Sequence, residues 1–238
     1  MNCRNCGGDD LTSRYCPDCG QPKELKRIDA HYIVHEIEHV LHFERGIFYT
    51  IRELFTRPGL NVKNYISENR SRLVKPIIFI ILTSLIYTLI NHAFHFDDKY
   101  MAYEGQKNKS ALVMFQWIQD HYGYANIMLG IFVAVWIKIF FKKYPYNFFE
   151  VLILLCFIMG ISMLIFSVFA IAQHFTAVNL MEIASIISVL YCAWGIGQFF
   201  DKDKLVNYFY GFAAYFLGLL TFSMGTLILG ILIDLVIQ

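Results

Sequence analysis

The chain after residue 75 consists mostly of five long apolar runs, and these runs restrict its fold more than any other feature. A membrane-spanning helix needs about 20 apolar residues, and a backbone inside a bilayer satisfies its own hydrogen bonds only in helices or closed barrels. The runs are too uniformly apolar for the alternating strands of a barrel. The sequence therefore predicts an all-α integral membrane protein with about five transmembrane helices. They are expected at Pro76–Ala93, Gly123–Phe141, Phe148–Ala172, Ala177–Phe200 and Tyr208–Ile237.

The composition also favours a membrane protein. Hydrophobic residues make up 57% of the 238 residues and charged residues 16%, whereas soluble domains have about 45–50% and about 25%. The formal net charge is +1, so the overall charge gives no reason to expect a nucleic-acid partner.

The distribution of Lys and Arg predicts the orientation in the membrane. Of the 20 Lys and Arg residues, 12 precede the first span, three lie at the end of the second span and two follow the fourth. These 17 share one side if there are five spans. Cytoplasmic flanks carry the excess of Lys and Arg in membrane proteins. We therefore expect a cytosolic N-terminus and an extracytoplasmic C-terminus.

Four cysteines form two Cys-x2-Cys pairs near the start of the chain, Cys3 with Cys6 and Cys16 with Cys19. Zinc binds four such ligands tetrahedrally, and two pairs of this spacing are typical of a zinc site. Thiols in a reducing cytosol rarely form disulfides. We expect one structural zinc ion in a zinc ribbon over residues 1–22, because four thiolates fill the coordination shell. A redox dithiol pair or an iron–sulfur site is the alternative.

Four histidines follow at a 4-4-3 spacing, which places them on one face of a helix. Such a face is a possible second metal site or a pH-responsive surface, because His binds metals and titrates near neutral pH. The alternative, which we favour, is the solvated face of an amphipathic helix that lies on the membrane or on the bundle. The four residues are His31, His35, His39 and His42.

Residues 23–75 are expected to form cytosolic amphipathic and juxtamembrane helices, interrupted at Thr56–Gly59. Basic residues next to a span are attracted to anionic lipid headgroups, and Arg also forms paired hydrogen bonds to phosphate. We expect an ordinary basic flank, and recognition of a lipid phosphate is the functional alternative. The residues for that role are Arg57, Arg70, Arg72 and Lys75.

The motifs N-C-G, Y-C-P-D-C-G-Q, R-P-G and Y-x4-R-x4-K-P together resemble an uncharacterised bacterial membrane family with an N-terminal zinc ribbon. The resemblance covers about the first 90 residues and implies an architecture in the bacterial cytoplasmic (inner) membrane, without implying an activity. The matching positions are Cys3, Cys6, Cys16, Cys19, Gly20, Gln21, Arg57, Pro58, Gly59, Tyr65, Arg70, Lys75 and Pro76.

The last predicted span carries small residues at a 3-4-3-4 spacing. Small side chains let two membrane helices approach closely. The partner is either another span of the same chain or a second copy, so a homo-oligomer is an open alternative. We call this set the small-residue seam: Gly211, Ala214, Gly218, Thr221 and Gly225.

No nucleophile elbow, P-loop or HExxH motif is present, and the Gly195-x-Gly197 pair is too weak a pattern to use. The charged residues of the spans lie near span ends, which weakens the case for ion or proton transport. We expect a non-enzymatic polytopic inner-membrane protein whose zinc ribbon is a structural or partner-docking element. Its partners would be the lipid bilayer, anionic headgroups and a cytosolic protein. The alternatives are an oligomeric channel, transporter or membrane-permeabilising effector, and a lipid-headgroup-modifying enzyme.

Overall fold

The computed structural model describes most of the chain after residue 45. The described residues are Tyr15, Pro17 and 46–68, 70, 72–94, 110, 113–114, 117–118, 122–176 and 179–237. The elements in this part are seven helices that belong to one compact unit beginning at Arg45. They are α1 (Ile47–Thr56), α2 (Pro58–Ser67), α3 (Pro76–Phe94), α4 (Tyr122–Phe140), α5 (Phe148–His174), α6 (Met181–Asp201) and α7 (Leu205–Ile237).

The five helices from α3 to α7 are long and apolar enough to cross a membrane, with mean hydropathies between 1.6 and 2.9. For the described part of the chain, the expectation of a helical, multi-pass membrane protein is thereby confirmed. The largest boundary difference is at α6, which begins at Met181 and not at Ala177. The side-chain oxygen of Gln173 accepts hydrogen bonds from the amides of Leu180 (2.9 Å) and Met181 (3.2 Å). These bonds satisfy N–H groups that have no partner within a helix at its first turn.

Helix α5 lies at the centre of the bundle and packs against α3, α4 and α6. Its most apolar stretch is 67% buried, whereas that of α7 is 17% buried. A side chain at Gly160 of α5 would place its Cβ 2.7 Å from the ring of Phe79 on α3. The ring of Phe157, one turn earlier, lies 5.7 Å from the same ring, centroid to centroid. Glycine and aromatic side chains thus fit α3 closely against the central helix.

The start of α5 is fixed by a capping box. The side-chain oxygen of Asn147 accepts from the amide of Glu150 (2.9 Å), and the Glu150 carboxylate accepts from the amide of Asn147 (2.7 Å). This reciprocal pair satisfies two N–H groups at the helix start. The preceding loop is held as well, because Lys138 Nζ donates to the carbonyl of Tyr146 at 2.6 Å.

Aromatic rings connect the loop between α4 and α5 with the end of α6. Phe141 stacks on Phe200 with centroids 3.9 Å apart, and Tyr144 lies 5.1 Å from the same ring. Tyr146 packs 4.5 Å from Phe199. Tyr and Trp are enriched where a span meets the membrane–water interface, so this cluster indicates an interfacial end of the bundle.

The cysteines of the predicted zinc ribbon and the residues of the histidine face lie outside the described residues. This applies to Cys3, Cys6, Cys16, Cys19, His31, His35, His39 and His42. Their roles, and the domain boundaries at residues 22 and 75, stay predictions.

Candidate functional site

The Arg57-Pro58-Gly59 motif joins α1 to α2. The amide of Arg57 donates to the carbonyl of Glu53 at 3.0 Å and ends α1. Pro58 occupies the first turn of α2, where its missing N–H costs nothing and its fixed φ suits a helix. The predicted interruption therefore separates two short helices, and we refer to α1 and α2 together as the docked pair.

Gly59 places the backbone of α2 directly against the backbone of α6. A Cβ at this position would overlap the amide nitrogen of Phe199 and lie 2.5 Å from the carbonyl oxygen of Gly195. Backbone atoms cannot rotate away as a flexible side chain can, so only glycine allows this contact. The φ of Gly59 is not in the left-handed region, so its backbone conformation does not require glycine. Helix packing is therefore the reason for the Gly of the R-P-G motif.

Gln198 of α6 caps the first turn of α2 from the other side of this contact. Its side-chain oxygen accepts hydrogen bonds from the amides of Gly59 (2.9 Å) and Leu60 (3.3 Å). The first N–H groups of a helix lack partners within that helix. Here a different helix, more than 130 residues further along the chain, supplies the acceptor.

Two glycines just before Gln198 let α6 approach its neighbours closely. A Cβ at Gly195 would lie 2.9 Å from Ile158 of α5 and 3.5 Å from Pro58 of α2. One at Gly197 would lie 2.6 Å from the ring of Tyr208 on α7. Sequence reasoning set this glycine pair aside and missed Gln198. The available signal was an amide side chain beside two glycines in an apolar span, where an unsatisfied polar group is costly.

Further hydrogen bonds fix the docked pair and the segment that leads into α3. The Tyr191 hydroxyl of α6 donates to the carbonyl of Leu54 at 3.0 Å. The amide of Val74 donates to the Thr50 hydroxyl at 3.1 Å. Both Leu54 and Thr50 are fully buried. These contacts satisfy a carbonyl near the end of α1 and an amide just before the first span.

The apolar faces of the docked pair pack on the central helix. Val62 is fully buried and Tyr65 is 6% exposed. The ring of Tyr65 meets Phe157 of α5 edge to face, with centroids 5.4 Å apart. Burial raises the pKa of Tyr65, and the nearby positive charge of Arg70 opposes that shift. The docked pair therefore belongs to the same packed core as the spans.

A polar pocket of about 450 Å³ opens between α1, α2 and the segment that precedes α3. Arginine and amide side chains dominate its lining. We call it the arginine pocket, and its lining residues are Arg52, Glu53, Thr56, Arg57, Leu60, Asn61, Asn64 and Arg72.

Arg72 is held in place on one side of the arginine pocket. Its Nη2 lies 3.1 Å from the carboxylate of Glu53, and its Nε donates to the Tyr49 hydroxyl at 3.0 Å. The hydrogen bond to Tyr49 and the charge of Glu53 raise the pKa of Arg72. A guanidinium has five N–H donors, so it keeps donor capacity beyond these two contacts.

The structure divides the four predicted phosphate-binding residues. Arg57 and Arg72 line the arginine pocket, whereas Arg70 and Lys75 are exposed and do not line it. Arg52, which sequence reasoning did not select, does line it. On an unbroken helix Arg52 and Arg57 would point about 140° apart. They line the same pocket because α1 ends at Thr56, and Arg57 follows with a non-helical backbone just before Pro58.

The small-residue seam of α7 contacts two other spans of the same chain. A Cβ at Gly211 would lie 2.9 Å from the carbonyl of Ala193 on α6, and one at Gly218 would lie 2.5 Å from Val133 on α4. Ala214 is fully buried. The Thr221 hydroxyl accepts from Trp136 Nε1 of α4 at 3.2 Å.

The fifth seam position differs from the other four. Within the described part of the chain, nothing lies within 4 Å of a Cβ built on Gly225. The seam thus joins α7 to α4 and α6 over its first three turns and is open at its last residue.

No group of three or more His, Cys, Asp or Glu residues suited to a metal ion occurs among the described residues. The two cysteines described, Cys156 and Cys192, lie within spans. Cys192 is fully buried and shares a 3.2 Å hydrogen bond with the Ser162 hydroxyl. These cysteines are therefore packing residues of the bundle, as free buried cysteines usually are.

Residues 44–88 match the sequence model of a family described as a protein of unknown function (DUF3667). No curated protein and no solved structure matches the chain. The match confirms the resemblance to an uncharacterised family over this segment.

The matched segment contains α1, α2 and most of α3. Every residue that lines the arginine pocket falls inside it, as does Gly59. Gln198 and the two glycines of α6 lie outside it. The matched segment thus includes the docked pair and the arginine pocket, but not the surface of α6 against which the docked pair packs.

Proposed function

We propose that this chain is a non-enzymatic, multi-pass protein of the bacterial cytoplasmic membrane whose cytosolic zinc ribbon is a structural or partner-docking element. The observation that carries the proposal is the fixed attachment of the docked pair to the bundle, through Gly59 and Gln198. The docked pair follows the cysteine pairs in the chain. A small module that precedes it would therefore be tethered by the chain to a fixed part of the bundle.

Zinc would stabilise such a module directly. A segment of about 20 residues is too short to bury an adequate core, and small domains of this kind usually depend on metals or disulfides. Cys3, Cys6, Cys16 and Cys19 would hold one ion, whose binding free energy would contribute to folding. With four protein ligands the ion would have no open position for substrate, which supports a structural or docking role.

The distribution of positive charge supports the proposed orientation. In the helix order α3 to α7, the segment before α3, the α4–α5 loop and the α6–α7 loop fall on one side of a membrane. Together with Lys138, which lies in the last turn of α4, these segments hold 17 of the 20 Lys and Arg residues. By the positive-inside rule this side is cytosolic. The C-terminus, after a fifth span, would be extracytoplasmic.

The proposal is tested on the full-length protein in its native membrane. Metal analysis of the purified protein is expected to find one zinc ion per chain, and none in Cys16→Ser. A reporter enzyme that works only outside the cytosol is expected to be active when it is fused to the C-terminus. Absence of zinc from the wild-type protein, or a cytosolic C-terminus, would overturn the proposal.

Photocrosslinking from positions in residues 1–22 distinguishes the two proposed roles of the ribbon. Protein adducts that form in the wild type and are lost in Cys16→Ser would support docking of a partner. If the wild-type protein forms no adducts, and Cys16→Ser is degraded faster than the wild type, the result would support a structural role. Identical adducts and identical lifetimes in both proteins would contradict both roles.

No specific observation on the described residues favours either of the two alternative functions. The channel, transporter or effector alternative depended on the small-residue seam, and four of its five residues are engaged inside the bundle. The lipid-modifying enzyme would need a reactive group in the arginine pocket. The pocket offers guanidinium, amide and hydroxyl groups, and its carboxylate, Glu53, is ion-paired with Arg72.

A further inference from the structure

We infer that the arginine pocket binds a phosphate-bearing anion. The inference goes beyond the proposed role of the zinc ribbon and does not depend on it, because every lining residue lies between Arg52 and Arg72. The described residues supply the charge, the hydrogen-bond donors and the space that such a ligand needs.

The charge in the pocket is positive and only partly balanced. Three arginines and one glutamate line it. Glu53 pairs with Arg72, and the side chains of Arg52 and Arg57 have no ion-pair partner among the residues that the structure describes. Arg is the preferred residue for phosphate recognition, because its planar guanidinium donates two parallel hydrogen bonds to one anion.

The polar wall of the pocket is held in a fixed arrangement. Glu53, which orients Arg72 with its side chain, also accepts two side-chain hydrogen bonds at its backbone carbonyl, in addition to the bond from the Arg57 amide. Asn61 Nδ2 donates to this carbonyl at 2.7 Å, and the Thr56 hydroxyl donates to it at 3.1 Å. Asn61 is 7% exposed, so its position is set by packing as well. A binding site with fixed polar groups loses less entropy when its ligand binds.

The size and position of the pocket indicate which phosphate compounds fit. Its volume of about 450 Å³ lies within the range of about 300–1,000 Å³ for small-molecule sites, so a phosphate with an attached group can enter. Arg72 precedes the first residue of α3, Pro76, by four positions. The pocket is therefore near the level of lipid headgroups. An anionic phospholipid and a soluble phosphorylated compound share the required chemistry.

The experiment uses the full-length protein and two probes. The lipid probe is phosphatidylglycerol, added to the delipidated protein in detergent, with bound lipids counted by native mass spectrometry. The soluble probe is inorganic pyrophosphate, titrated calorimetrically into the protein in phosphatidylcholine nanodiscs at constant ionic strength. Binding of the first alone identifies a headgroup site, and binding of the second identifies a site open to soluble phosphates.

Two double variants that each remove two positive charges test the location. Arg52→Gln with Arg57→Gln changes the pocket, whereas Arg70→Gln with Lys75→Gln changes exposed positions outside its lining. We expect the first pair to weaken binding about tenfold or more, as loss of charged hydrogen bonds does. We expect the second pair to weaken it about twofold or less, because exposed charges interact weakly.

Equal weakening by both double variants would overturn the inference, because it would show attraction to general surface charge. Failure of the wild-type protein to bind either probe would also overturn it. The substituted residues are exposed, so the thermal unfolding midpoint without ligand should be unchanged. If the first double variant unfolds, the single variants Arg52→Gln and Arg57→Gln are measured in its place. Binding at the wild-type level by both single variants would show that the arginine pocket is not the binding site.

Discussion

The backbone amide of Gly59 donates a hydrogen bond of 2.9 Å to the side-chain oxygen of Gln198, 139 positions further along the chain. This bond lies at the point where α2 crosses α6 without an intervening side chain. It joins the segment before the first span to the fourth span. The position of the docked pair, and of the arginine pocket within it, therefore depends on a residue of the membrane bundle.

Gly59→Ala is expected to separate α2 from α6. The new Cβ would overlap backbone atoms of Gly195 and Phe199, and such overpacking costs about 1–3 kcal/mol. The measurement is the rate of proteolysis within α1 and α2 in proteoliposomes, together with the thermal unfolding midpoint. Faster cleavage before the spans unfold is the expected result. Cleavage at the wild-type rate would show that the contact tolerates a methyl group.

Gln198→Leu is expected to make the amide hydrogens in the first turn of α2 exchange faster with solvent. The variant removes the acceptor of two amide groups that are partly buried, and an unsatisfied group of this kind costs about 1–3 kcal/mol. Hydrogen–deuterium exchange at Gly59 and Leu60 should become at least several-fold faster. Gln198→Glu is the matched control, because it keeps an acceptor oxygen near a helix N-terminus, where negative charge is favoured. Equal exchange in the wild type and Gln198→Leu would contradict the capping role.

Gly218→Ala and Gly225→Ala compare two positions of the small-residue seam. A methyl group at Gly218 would lie 2.5–3.0 Å from side-chain and backbone atoms of Val133. We expect this variant to be less stable by about 1–3 kcal/mol. The methyl group at Gly225 meets open space among the described residues, so that variant should keep wild-type stability. Reversible unfolding in mixed detergent micelles provides the comparison.

The same pair of variants tests for a second copy of the chain. If Gly225→Ala alone disrupts an oligomer detected by cross-linking in membranes, the open end of the seam is an intermolecular contact. If oligomerisation is unchanged in both variants, the seam serves only the contacts of α7 with α4 and α6.

Removal of residues 1–44 is expected to leave the helical bundle inserted and folded. The unit that begins at Arg45 contains the seven helices that the structure describes and their packed core. The thermal midpoint of the shortened protein should therefore stay within a few degrees of the wild-type value. Cys16→Ser in the full chain should likewise insert normally. Loss of insertion in either protein would show that the N-terminal segment is needed to fold the bundle.

The five spans could be predicted closely because a stretch of about 20 apolar residues has one stable structure in a bilayer. The break at Pro58 could also be predicted, because proline starts a helix readily and does not continue one. The start of α6 was predicted four residues too early. Its start depends on the side chain of Gln173 in the preceding turn, which no apolar pattern reports.

The partners of individual residues could not be predicted in this way. In a soluble helix an apolar stripe marks the buried face, but a membrane helix is apolar towards lipid and towards its neighbours alike. The sequence therefore identified the small-residue seam without indicating that Gly211 meets α6 and Gly218 meets α4. For the same reason it gave no weight to Gly195 and Gly197.

The sequence by itself determined that this protein is helical and multi-pass, because local apolar length is sufficient for that conclusion. Only the tertiary structure decided that Gly59 meets Gln198 and that Arg52 lines a pocket with Arg57 and Arg72. Those groups are brought together by helix packing and by a helix break. Their proximity is set by the packed arrangement of α1, α2 and α6, which residue spacing along the chain does not encode.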